Sequence, residues 1–421
     1  MQTRLLLATT IDATLEAFLT PLADHFRGLG WRVDGAAAGI SANAKAAPHF
    51  DQVWDMDWSQ RPLGRNNMRA YSQIRQIVEQ QGYDIVHVHT PVASFVTRLA
   101  LKDLRGTGGA GAAGAATAGA AAGGAATGGL KVVYTAHGFH CHPGASKLSN
   151  GIFCGLERMA GSWTDALVVI NHEDERLARR YGLAGDGRIY YMPGIGVDLD
   201  QYSRADVTPA AAAAVKHQLG LGPDDTLLLM IAAFAPGKRH PDLLRAFRAM
   251  WRPGLHLALA GTGPEMERIE TLAAELGLAD SVHFLGFRSD VPELLAASAA
   301  LILTSEREGL PRSIMEAMAM GTPVIGTRIR GSNELLAGGA GLLVDVGDVD
   351  GLAAAMRLVV DDPAAAQACV ERARRRIARY ALPRVIRLHE EMYQDLLGSS
   401  DGAALPSGGV LPRSVVTPSG P

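Results

Sequence analysis

Short apolar runs alternate with longer helix-patterned stretches along almost the whole chain, and they fall into two blocks. The first block holds RLLLATT (4–10), WRVDGAAA (31–38), DIVHVHT (84–90), KVVYTAHG (131–138), DALVVI (165–170) and RIYYMPG (188–194). The second holds TLLLMIA (226–232), LHLALAG (255–261), SVHFLG (281–286), AALILTS (299–305), PVIGT (323–327) and AGLLVD (340–345). Continuous apolar runs separated by helices are the pattern of parallel strands covered on both faces. The chain therefore reads as α/β. Its 421 residues exceed what one core usually holds. Two similar blocks predict two Rossmann-like, doubly wound domains facing each other across a cleft. The boundaries read as 1–200 and 201–382, with the join near 195–210, where GIGVDLDQYSRADVTPAAAAA changes character. PRVIRLHEEMYQDLL (383–397) reads as a closing helix, and the Gly/Ser/Pro-rich segment 398–421 as a disordered tail. Residues 106–129 contain only Gly, Ala and Thr, which predicts a flexible insertion.

Bulk properties exclude several classes. A formal net charge of −3 argues against a nucleic-acid binder, whose footprint is a basic excess. Three scattered cysteines (Cys141, Cys154, Cys369) fit a reducing compartment better than a disulfide framework. The N-terminal MQTRLLLATTID reads as a first strand rather than a signal peptide. The longest apolar run, LLLMIAAFA (227–235), falls far short of the roughly 20 residues needed to span a bilayer. No G-x-G-x-x-G follows the first strand, which argues against a plain NAD-type dehydrogenase. The expectation is a cytoplasmic protein, with room for peripheral contact to the inner face of the cell membrane. Arg61, Arg65 and Arg69 are four apart and would form one basic stripe on a helix; the arginines at 372–379 offer a second patch. Either could touch anionic lipid or be an ordinary solvated face.

The richest local signal is EGLPRSIME (308–316), two glutamates eight apart across a strand-to-helix turn. Pro311 suits a helix start, where a missing N–H is harmless. Gly321 suits the position just past the helix end, and Pro323 forbids continuation. Glu308 should lie on the loop leaving a buried strand, and Glu316 inside the following helix. In an open α/β sheet that loop is at the carboxyl edge, where ligands bind. Two carboxylates beside a helix N-terminus suit a ligand with both hydroxyls and phosphates.

The E-x7-E spacing, with its flanking words EGLP and EAMAMGTPVIGT, resembles the motif of retaining glycosyltransferases of the GT-B fold, particularly family 4. HVHTPVASFVTRLA (87–100), YTAHGFHCHPGASK (134–147) and YYMPGIGVDLDQY (190–202) are similar to the branch that assembles capsule, exopolysaccharide and related lipid-linked glycans in bacteria. The resemblance spans roughly residues 4–397, apart from the Gly/Ala insertion.

The resemblance implies a catalytic set of His137, beside the transferred sugar, Glu308, contacting its hydroxyls, and Lys238, neutralising the departing diphosphate. On the donor side it implies Glu316 for the ribose, and the N–H groups of Gly309 and Leu310, with Pro311, for sugar and phosphate oxygens. Ser313 and Arg312 lie between the glutamates and could assist. Gly263, in the GTGP turn, would lie close to the nucleotide, and Phe287 and Arg288 are the exposed candidates in the base-gripping loop. Family members carry an arginine five or six residues before the lysine; here those positions are Ala233 and Ala232, and Arg239 could compensate. On the acceptor side stand His89, Gly138 and Arg98, the last as a phosphate ligand or only a helix cap. Gly194 and Gly196 mark the domain junction, and Asp198 could fix its turn. The closing helix would cross back onto the first domain.

The implied mechanism is front-face attack with retention. It needs no cofactor and no metal, since Lys238 and helix dipoles take the role of a cation. The implied donor is a UDP-sugar such as a UDP-linked N-acetylhexosamine, and the implied acceptor a glycan or a sugar on a polyprenyl diphosphate. Zinc at His137, His140, Cys141 and His142 is disfavoured, because no paired ligand set lies nearby. Two other classes stay open on the sequence: a GT-B-fold epimerase of UDP-sugars, and a degenerate nucleotide-sugar-binding subunit without turnover.

Overall fold

A computed structural model describes residues 2–59, 64–105, 129–139 and 147–398. Residues 106–128 of the Gly/Ala run, Arg61, His140, Cys141, His142 and the tail from 399 lie outside the described residues.

The first sheet has seven parallel strands: β1 (Arg4–Ile11), β2 (Arg32–Ala38), β3 (Gln52–Asp55), β4 (Ile85–His89), β5 (Lys131–Ala136), β6 (Ala166–Val169) and β7 (Ile189–Tyr191). Their order is β3-β2-β1-β4-β5-β6-β7. The second has six: β8 (Thr226–Ile231), β9 (Leu255–Ala260), β10 (Val282–Gly286), β11 (Ala300–Leu303), β12 (Val324–Thr327) and β13 (Leu342–Val344), in the order β10-β9-β8-β11-β12-β13. Each sheet reverses its order once, between β1 and β4 and between β8 and β11. Ligands bind at such switch points, at the carboxyl ends of the strands. Two doubly wound sheets make this a GT-B architecture.

The runs are continuous because both faces are buried. Along β1, Leu5 and Leu7 join one core cluster while Leu6 and Ala8 join another, all with no exposed surface. β3 has no such signature. QVWD is an edge strand of four residues, exposed at both ends, and its pattern carries no apolar run.

The last helix, Leu382–Leu397, packs on the first domain. Tyr393 and Met392 sit in the core with Phe26, whose ring centroid is 5.0 Å from that of Tyr393. Tyr190 Oη donates to Asp395 Oδ2 at 2.7 Å. The chain thus passes between the domains twice, and the two passages pair. Val197 N donates to Tyr380 O at 2.8 Å, and Leu382 N donates to Val197 O at 2.9 Å. Gly196 has φ +82, and a Cβ there would meet Leu382 Cα at 2.7 Å, so only glycine fits this crossing. Asp198 Oδ1 accepts from the N–H groups of Asp200 and Gln201, which fixes the following turn.

Candidate active site

The switch point between β8 and β11 carries the lysine and the first glutamate. Lys238 Nζ donates to Glu308 Oε1, with side chains 27% and 16% exposed. Thr304 Oγ1 donates to Lys238 O at 2.8 Å, tying the lysine loop to the end of β11. Beneath it, buried His240 stacks on Phe234, with centroids 4.4 Å apart. Burial, and then the Lys238 charge, push His240 down to about 4, so the group under the lysine is neutral at pH 7. Backbone conformation is unusual at both switch points. Thr90, after β4, has φ 67, and Arg239, after β8, has φ 55; these are the two positive-φ non-glycine residues among those described. Such outliers cost of order 1–3 kcal/mol each and concentrate at functional sites.

Helix Arg312–Met320 holds the second glutamate. Pro311 precedes it, and Gly321 closes it in the left-handed region at φ 68. Its apolar face (Ile314, Met315, Met318) buries into the second core, which fixes Glu316 inward at 5% exposure. Arg312 Nε donates to Glu316 Oε1 at 2.7 Å, and Tyr202, on the domain junction, also bonds to this carboxylate. Burial pushes the Glu316 carboxyl up, against the pull of Arg312 and Tyr202. Arg312 Nη1 also reaches across to donate to Ala17 O in the first domain, at 2.8 Å. A ribose would share this carboxylate with Arg312 and Tyr202. Ser313, in the same first turn, is half-buried.

Opposite lies the turn after β5. A Cβ on Gly309 would fall 1.9 Å from His137 O, and one on Gly138 would fall 3.5 Å from Gly309 Cα. The two loops therefore touch backbone to backbone. Leu310 packs on the junction, where a Cβ on Gly194 would meet its Cδ2 at 2.6 Å. His137 Nε2 lies 3.1 Å from His89 Nδ1, and His89 stacks on His87 at 4.2 Å. His87 is held by Tyr393 Oη at 2.5 Å and Thr135 Oγ1 at 2.7 Å. Burial, with the nearby His389, lowers His137 to about 4, and burial lowers His389 to about 4 as well. Burial and neighbouring histidines hold His87 and His89 well below the usual histidine range. The row is neutral at pH 7, and His137 meets the cleft as a hydrogen-bonding group without charge.

Several expected residues are placed differently. Arg98 is 1% exposed; it donates to Glu157 Oε2 at 2.9 Å and lies 4.2 Å from the Tyr134 ring centroid. It is a paired core cation, not an acceptor ligand. His89 is 1% exposed and reaches the cleft only through His137. Arg239 donates to Asp242 Oδ2 at 2.6 Å and lies 3.6 Å from Glu306, so its guanidinium is engaged by its own carboxylates rather than open to a phosphate. Arg288 is likewise paired with Asp290 through Nε at 2.7 Å, whereas Phe287 stands 78% exposed. Gly263 permits close packing of the GTGP turn, since a Cβ there would fall 2.4 Å from Phe234 O. Arg376 caps Glu334 O and Arg372 lies near Gly339 O, so the arginine cluster is partly structural. Among the described residues, no group of three or more His, Cys, Asp or Glu side chains is placed to hold a metal. No described helix is long and apolar enough to cross a membrane.

Two facing doubly wound domains, a lysine–glutamate pair at the second switch point and a His-Gly turn against it are the arrangement expected of a GT-B glycosyltransferase. The family model for glycosyl transferases group 1 matches residues 213–376, and that for glycosyltransferase family 4 matches residues 15–108. With both matches on one chain, it resembles the GT-B glycosyltransferases of family 4. It is 29% identical to the putative glycosyltransferase EpsD of Bacillus subtilis, over 93% of this chain and 97% of that one. It is 25% identical to the UDP-Gal:alpha-D-GlcNAc-diphosphoundecaprenol alpha-1,3-galactosyltransferase of Escherichia coli, over 70% and 71%. The crystal structure of Anabaena Alr3699/HepE with UDP and glucose shares the fold, with a TM-score of 0.74 and 20% identity over 94% of this chain and all of that one.

Sequence reading missed Tyr202, Asn171, Asp174, Arg330 and Glu334, whose carboxylate accepts from Tyr191 Oη at 2.6 Å and from His172 N at 2.7 Å. Each meets a partner on the other domain or the junction. Only the helix-start pattern of Asn171 and Asp174, N-cap and third residue, was visible locally.

Proposed function

We propose that the protein is a retaining, metal-independent transferase that moves a sugar, an N-acetylhexosamine or related hexose, from UDP to a saccharide on a polyprenyl diphosphate. The observation that carries this reading is the Lys238–Glu308 pair facing the His137–Gly138 turn across one closed contact. The glycosidic bond to the diphosphate breaks with its electron pair leaving on phosphate oxygen. Lys238 and the N–H groups of Gly309 and Leu310 stabilise that charge. Glu308 releases Lys238 as the phosphates enter, and accepts hydrogen bonds from the sugar hydroxyls. The acceptor hydroxyl attacks the same face, and its proton passes to the departing phosphate oxygen. His137, neutral, orients a sugar hydroxyl. No cofactor takes part.

UDP accompanies glucose in the Anabaena structure, and the Escherichia coli relative uses a UDP-sugar and a diphosphoundecaprenol acceptor. These support the donor and acceptor classes. Exposed Arg65 and Arg69, with Met68 80% exposed between them, support contact with anionic lipid at the cytoplasmic face.

The test is NMR analysis of the product formed from UDP-N-acetylglucosamine or UDP-glucose on a synthetic lipid-diphosphate saccharide, with and without EDTA. The expected product has the donor's own α configuration, formed at the same rate in EDTA. An inverted product, or an isomerised donor without transfer, contradicts the reading.

A further inference from the structure

One buried ion pair joins the two domains beside the site. Arg330 opens the helix Arg330–Leu336 after β12, and Asp174 lies in the first turn of the helix His172–Tyr181 after β6. Arg330 Nη1 donates to Asp174 Oδ1 at 2.5 Å, with the side chains 6% and 0% exposed. The second arm of the same guanidinium, Nη2, donates to Phe139 O at 3.1 Å, at the end of the His-Gly turn.

The surroundings make this contact specific. Asp174 Oδ2 accepts from Asn171 Nδ2 at 2.7 Å, so the carboxylate is held on both oxygens. Asn171 Nδ2 also lies 3.3 Å from Gly309 O. A Cβ on Gly138 would sit 3.6 Å from Arg330 Nη2, and one on Gly331 would fall 2.5 Å from Gly309 O. One guanidinium therefore ties a helix start and the His-Gly turn of the first domain to the second domain, against the Gly309 backbone.

Opening the cleft separates these groups. Closing it removes both charges from water, which is tolerable only when each finds the other. A planar guanidinium can serve a carboxylate and a carbonyl at once; an ammonium on a flexible stem cannot hold both in one geometry. We propose that Arg330 is a positioning residue for the transfer, fixing the His137–Gly138 turn against Gly309 in the closed cleft through Asp174 and Phe139 O. This rests on the donor site at Lys238 and Glu308.

The experiment uses the full chain and the variants Arg330→Lys, Arg330→Met, Asp174→Asn and Arg330→Met with Asp174→Asn. Three quantities are read: UDP affinity by calorimetry, the kcat and KM of UDP release from UDP-N-acetylglucosamine, and the radius of gyration by small-angle scattering. The single variants should keep UDP affinity within about twofold, because the pair does not touch the nucleotide's lysine or glutamates. Their kcat should fall about 10- to 100-fold, the scale of a small misplacement of reacting groups, and the free proteins should scatter as larger particles. Arg330→Lys should not rescue. The double variant should lose little beyond Arg330→Met alone, as partners in one interaction do.

Unchanged kcat in Arg330→Lys, or UDP affinity falling in step with kcat, overturns the proposal. If the wild type does not bind UDP, the donor reading fails, and scattering alone decides for Arg330: an unchanged radius overturns it, and an expanded one upholds the latch.

Discussion

Gly309→Ala lowers turnover by at least about 100-fold, the cost expected when reacting groups are displaced by an ångström. The added methyl would fall 1.9 Å from His137 O and 3.1 Å from Ile170 Cδ1, both in the opposite domain. Gly309 is not among the positive-φ glycines, so alanine meets no backbone strain here. The whole penalty lies in space between the domains. Two consequences separate this from simple misfolding: the second domain keeps its melting transition, and kcat falls by a larger factor than UDP affinity does. A Gly309→Ala protein with wild-type kcat would show that the contact with the His-Gly turn is not used in the reaction.

Lys238→Ala reduces kcat by about 10²- to 10³-fold, the loss typical of removing one preorganised partner for developing charge. The effect is large because Arg239 is engaged by Asp242 and Glu306, and Ala233 and Ala232, five and six residues before Lys238, supply no second cation. The substitution also strands Glu308 without its cation. Lys238→Ala, Glu308→Gln should therefore bind UDP better than Lys238→Ala alone, since a neutral amide no longer repels the phosphates. Equal affinities for the two proteins, with kcat near wild type in either, would remove the pair from the mechanism.

Much of this fold was legible in the chain because burial on both faces leaves continuous apolar runs, and those runs became β1, β2 and β4–β13. QVWD escaped because an edge strand buries too little to leave a pattern. Pro311 and Gly321 marked the ends of the Glu316 helix, since both residues act through local backbone geometry. What could not be read is what depends on distance in sequence. Arg98 looks like any arginine near a helix end until Glu157 and Tyr134 close over it. Arg239 looks like a free cation beside Lys238 until its left-handed backbone turns it onto Asp242. Arg330 and Asp174 lie 156 residues apart, and nothing in either local stretch points to the other. Sequence words named the residues of the two site loops; the contacts that press those loops together exist only in the folded chain.

The central claim is a UDP-sugar site built around Glu308, Lys238 and Glu316. It is tested most directly by calorimetric titration of UDP-, GDP- and ADP-sugars, without added metal, into the wild type and Glu316→Ala. Tight binding of one UDP-sugar that the variant loses is the predicted result. Absence of binding by the wild type, preference for GDP or ADP, or equal binding by the variant would contradict it.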